Sequence, residues 1–197
     1  MQGRDERVRC RGRAQVVAAV LAAGSAVTQA EDFSNVRLGD TRARFAVGRA
    51  LEGAARRLDH RECQVLLDEF NDVSGRPLRA SLEESGVSAP AYLGRVFFYD
   101  APQRICETSN LALTTPGSRA IFVCSSRVVR EMARNSRHVE AILIHEMLHS
   151  LGLGENPPSS DYITGRVQAR CGARGKVAAS GSPGARLEAS SGLPERR

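Results

Sequence analysis

Between Asp40 and Leu58 the apolar positions Phe45, Val47, Leu51, Ala54, Ala55 and Leu58 recur at helical spacing. Asp40 and Thr41 are suited to cap the start of that helix. The segment "CQVLLDEF" (63–70) predicts a second short helix or a continuation of the first. A turn follows at 72–77, and "LRASLEESG" predicts a short helix stopped by Gly86. The pattern then turns β-rich. "RVFFYD" (95–100) and "RAIFVCSS" (119–126) predict strands and "LALTT" (111–115) a third, with Pro116 and Gly117 turning between the last two as a hairpin. "SRVVREMARN" begins another helix, and a strong one runs from Ser136 to Leu151. Beyond Cys171, Gly, Ala, Ser and Arg dominate without an apolar period, which predicts a disordered tail over 172–197. The expected fold class is α+β over 31–171: N-terminal helices, a small sheet with an edge hairpin, then the long helix.

That last helix carries an anomaly. In "ILIHEMLHSLGLGENPP" (142–158) two histidines and a glutamate interrupt a stretch that is otherwise buried-helix sequence. At 3.6 residues per turn His145 and His149 project from one face, one turn apart, where a single metal ion can reach both rings. Glu146 lies about 100° round the helix, so it flanks such an ion instead of binding it. Ile142, Leu143, Met147, Leu148 and Leu151 anchor the helix in the core and keep one side of the site dry. Gly152 ends the helix and lets the chain turn back, and Glu155 falls six residues past His149.

This stretch resembles the zincin metallopeptidases, and in particular the metzincin signature H-E-x-x-H-x-x-G-x-x-ligand. His145, Glu146, His149, Gly152 and Glu155 fill it over about eleven residues. Two departures mark it off: the third ligand is Glu where His or Asp is usual, and no methionine follows Met147. The resemblance implies a zincin-like fold in which an edge strand lines the substrate cleft, and "RAIFVC" is the candidate strand. It also implies one Zn²⁺ on His145, His149 and Glu155, with Asp161 as the alternative third ligand and Glu146 as general base in peptide hydrolysis. His138, seven residues before His145, is about 10 Å up the axis and too far to share the ion. It reads as a cleft-edge or solvated group, and His60 as surface. Tyr162 reads as a half-buried packing residue more readily than as an oxyanion donor. The arginines at 56–57 read as a solvated face.

Charge and cysteine usage narrow the setting. The formal charge is +6, yet residues 1–30 and 165–197 hold the excess, +3 and +5, and leave −2 for 31–164. With no basic groove and few aromatics, nucleic-acid binding is disfavoured. Residues 1–30 combine an Arg-rich start, a short apolar run and "TQA", the pattern of a cleavable signal peptide, and the run is too short to span a bilayer. The expected location is therefore secreted or periplasmic. Without the leader, Cys63, Cys106, Cys124 and Cys171 remain, an even number without zinc-knuckle spacing, which predicts two disulfides. Three pairings are open; the favoured one joins Cys106 to Cys124 across a strand pair and Cys63 to Cys171. The functional expectation is a zinc metallopeptidase acting on a peptide or protein. Its rivals are a secreted, disulfide-stapled binding domain with a vestigial metal site and a cytosolic structural protein.

Overall fold

The computed structural model describes residues 33–172. The expected leader (1–30) and all but Gly172 of the expected tail (172–197) lie outside the described residues. The chain opens with β1 (Val36–Arg37) and α1 (Thr41–Leu58), then the short helices α2 (Arg61–Gln64), α3 (Leu66–Glu69), α4 (Leu78–Glu84) and α5 (Ala89–Leu93). Strand β2 (Phe97–Asp100), a 3-10 turn (Ile105–Glu107) and strands β3 (Ala112–Thr114) and β4 (Ala120–Val123) follow. Helices α6 (Ser125–Arg134), α7 (Ser136–Ser150) and α8 (Ser160–Cys171) complete it. The α+β expectation holds. Among the described helices none is long and apolar enough to cross a membrane.

Four strands form one mixed sheet in the order β1-β2-β4-β3. β1 and β4 both run parallel to β2, and β3 closes the edge antiparallel to β4. The β3–β4 hairpin is the one expected, turning at Gly117 with φ +78°, but the edge is not. "RAIFVC" pairs on both sides and is interior; β3 is the outer strand. The reason is topological: β4 must sit beside β2 to pair in parallel, which pushes its hairpin partner outward. β1 is too short to carry a period of its own.

Helices α1 and α7 pack closely through the core. Ala43, Val47, Ala50 and Ala54 of α1 and Val139, Leu143, Ile144, Met147 and Leu148 of α7 are buried. The approach is tight at Gly53, where a Cβ would lie 2.4 Å from the side chain of Glu140. Arg57 closes this seam: its guanidinium donates to Glu140 at 2.5 Å and to the Cys171 carbonyl at 2.6 Å. The solvated-face reading therefore fits exposed Arg56 but not Arg57. From Ala141 to Leu151 only Ile142 escapes full burial, so this part of α7 is buried nearly all round, polar residues included, as central helices are.

Both favoured disulfides are present. Cys63–Cys171 ties α2 to the end of α8, and Cys106–Cys124 fastens the 3-10 turn to the chain just after β4. The second therefore pins the β2–β3 connection and does not bridge two strands.

Candidate metal centre

The local fold that builds the site begins with the end of α7. Gly152 adopts φ +112°, its N–H donates to the His149 carbonyl at 2.8 Å, and the Leu153 N–H donates to the Leu148 carbonyl at 3.1 Å. That is a Schellman cap, accompanied by the usual apolar contact between the residue after the glycine and the helix, here buried Leu153 and Leu148. The cap delivers the Leu153 carbonyl to His149 Nδ1 at 2.7 Å. A carbonyl only accepts, so the proton of the neutral ring lies on Nδ1 and Nε2 presents a lone pair. The β3–β4 turn braces the same end, with the Gly117 N–H donating to the His149 carbonyl at 2.9 Å.

His145 and His149 are almost wholly buried, and their Nε2 atoms face each other at 2.9 Å. Glu155 Oε1 lies 3.8 Å from the first and 3.7 Å from the second. A triangle with those three sides has a point about 2.0 Å from every corner, the bond length zinc makes to imidazole nitrogen and carboxylate oxygen. The donor set fits a zinc ion, and these three residues are the group among those described that could hold a metal. Glu155 is about one-third exposed, which leaves the ion's far side open.

Asp161 does not join them. Ser159 caps a new helix by accepting from the Tyr162 N–H, and this places Asp161 in the exposed first turn of α8, where a carboxylate suits the helix dipole. Tyr162 in the same turn is more exposed than expected, at 56%, with its ring edge against Phe70. His138 lies in the first turn of α7, half-buried and 3.5 Å from the Gln168 side chain rather than freely solvated, and His60 is exposed, as anticipated.

Glu146 is buried beside the cluster, and its Oε2 has no hydrogen-bond partner among the described residues. Burial pushes its carboxyl up to about 7; nearby Thr114 works against that rise, and the charge of Glu155 adds to it. Thr114 Oγ1 faces the carboxyl from β3 without completing a hydrogen bond of ordinary geometry. Burial, and then the neighbouring His149, hold His145 down at about 3, so this ring is a neutral, lone-pair donor at physiological pH.

Three supporting groups were not anticipated: the Leu153 carbonyl, Thr114, and Thr164, whose Oγ1 lies 2.9 Å from His145 Nδ1. Thr164 belongs to α8, a helix to which the sequence pattern above assigns no element. A signal for it exists, since Ile163, Val167 and Cys171 recur every four residues behind the capping Ser159. Comparison with known proteins adds no relative: no family model, no curated protein and no solved structure matches this chain.

Proposed function

We propose that the protein is a zinc-dependent peptide hydrolase, with His145, His149 and Glu155 as ligands and Glu146 as general base. The observation that supports it most is the triangle of Nε2, Nε2 and Oε1 atoms, sized for one zinc ion, with an unpartnered buried carboxylate alongside. When bound, zinc would supply a Lewis acid that polarises a peptide carbonyl and acidifies a water molecule. The chain's own residues do the rest. Glu146 takes a proton from the attacking water and returns it to the departing amine nitrogen, a role suited to a carboxyl held near neutrality. Leu153 and Thr164 orient the two imidazoles. The low-dielectric wall of Leu143, Met147 and Leu148 excludes competing water.

The zincin resemblance of the H-E-x-x-H stretch points the same way. In this reading β3, the outer strand, takes the place of the cleft-lining strand. It packs against α7, turns Thr114 inward towards Glu146 and leaves Leu113 partly exposed. A peptide laid along it would pair with its free edge, as extended chains do. The two disulfides suit an exported enzyme working in a secreted or periplasmic setting.

The test combines metal analysis with a broad peptide-library digest. Wild type should carry one zinc and cut peptides. Glu146→Gln should keep the zinc and lose turnover, and His149→Ala should lose the zinc. Hydrolysis undiminished in Glu146→Gln would end the proposal. Zinc without any turnover in wild type would favour the binding-domain alternative.

A further inference from the structure

We infer that Thr164 is a positioning residue whose hydroxyl switches between donor and acceptor, so that His145 is satisfied both with and without a bound ion. This rests on the zinc reading above and adds to it a residue and a proton rearrangement. His149 Nδ1 is committed to the Leu153 carbonyl, so its Nε2 offers a lone pair in either state. His145 has no such fixed partner. Its Nε2 faces His149 Nε2 at 2.9 Å and its Nδ1 faces Thr164 Oγ1 at 2.9 Å.

Two proton arrangements satisfy this chain of contacts. Without an ion, two facing lone pairs would repel, so His145 carries its proton on Nε2 and donates it to His149 Nε2. Its bare Nδ1 then accepts from the Thr164 hydroxyl. With an ion, both Nε2 lone pairs must point at the metal. His145 then carries its proton on Nδ1 and donates to Thr164 Oγ1. The ring loses one proton at Nε2 and gains one at Nδ1, so its charge does not change. Among uncharged side chains a hydroxyl is well suited to both arrangements, because it rotates and serves as donor or acceptor. A carbonyl at that place would permit only the metal-bound arrangement, and a guanidinium only the metal-free one.

The hydroxyl is also held independently of the metal. Helix α8 is fastened at its end by Cys63–Cys171, and along its length by Arg166 and Arg170, which both donate to Glu69. Its position therefore does not depend on the ligands it serves.

The experiment uses the full chain at pH 8, where free imidazole is neutral. Zinc affinity is measured for wild type, Thr164→Ser and Thr164→Val, and nitrogen NMR of the histidine rings reads the tautomers with zinc and with chelator. Wild type should bind one zinc, and Thr164→Val, which keeps the shape but not the hydroxyl, should bind about 10- to 100-fold more weakly. Thr164→Ser should stay within about threefold of wild type, since it keeps the outer-shell hydrogen bond. The His145 ring should change from the Nε2–H to the Nδ1–H form on loading. Zinc binding in wild type with Thr164→Val unaffected, or with one tautomer in both states, would overturn the inference while leaving the zinc reading intact. A wild type that takes up no zinc would overturn both. Should Thr164→Val fail to fold, the wild-type tautomers decide.

Discussion

The turn after α7 is a place where a single methyl group should do clear damage, to the fold and to the candidate site together. Gly152 holds φ +112°, a backbone conformation that costs an L-residue about 1–3 kcal/mol. A Cβ there would also lie 2.9 Å from the Cβ of Asp72, and Asp72 cannot easily yield. Its carboxylate accepts from the backbone N–H groups of Ser74 and Arg76, and its backbone bridges to Leu153. Overpacking against a pinned neighbour adds about 1–3 kcal/mol. Gly152→Ala should therefore lose about 3 kcal/mol, or about 10 °C in midpoint for a body of this size. Urea and thermal unfolding of the metal-free protein would measure it. The same substitution should weaken zinc binding, because the turn delivers both the Leu153 carbonyl and Glu155. Asp72→Gly removes the clashing atom, so the double variant should recover part of the loss, a coupling that a double-mutant cycle reads directly. A Gly152→Ala protein within 0.5 kcal/mol of wild type, a change no larger than ordinary surface substitutions make, would refute this account of the turn.

Three further outcomes follow from the structure. Glu146 has its carboxyl raised from 4.5 to about 7, so between those values the folded state keeps a proton that the unfolded chain has lost. Stability of the metal-free protein should therefore fall as pH rises through that window, by about 3 kcal/mol in all. Glu146→Gln should gain on wild type progressively from pH 5 to pH 8, and a pH-independent difference would contradict the buried, unpartnered carboxylate. Replacing both Cys63 and Cys171 by Ser opens a loop of sequence separation 108, which should cost about 4–5 kcal/mol in urea titration; a loss under about 1 kcal/mol would show that α8 needs no staple. Zinc stoichiometry should survive Asp161→Ala and drop in Glu155→Ala, and the reverse result would reassign the third ligand.

Elements with a long internal period were legible from the chain alone: α1, α7, the β3–β4 hairpin. So was the His145, Glu146, His149 geometry, because an i, i+4 relation lies within one helix and needs no tertiary information. Glu155 was legible at one remove, through a glycine that announces a helix cap. What escaped was set by contacts far apart in sequence. Whether β4 is interior or edge depends on β2 pairing with it in parallel. Arg57 looks like surface in its own segment and is drawn inward by Glu140, 83 residues on. Thr164 is an unremarkable helix residue until α8 docks it on His145, 19 residues away.

Two glutamates on α7 show what distinguishes chemistry from architecture here. Glu140 and Glu146 are both buried, six residues apart on one helix. Glu140 meets the Arg57 guanidinium at 2.5 Å, and that partner lies one turn along α1 from Gly53, where the helix leaves no room for a Cβ against Glu140. Its charge is compensated, and removing Arg57 would leave the Glu140 carboxylate buried without that cation. Among the described residues Glu146 has no cation beside it, a bare Oε2 and a second carboxylate, Glu155, near enough to repel it. A buried carboxyl so placed destabilises the metal-free fold once it ionises, and a positive charge beside it would offset that cost. The two imidazoles and Glu155 could seat such a charge. The same ion that would offset the repulsion would also give Glu146 a proton to move, so stability and activity should both respond to zinc through this one side chain.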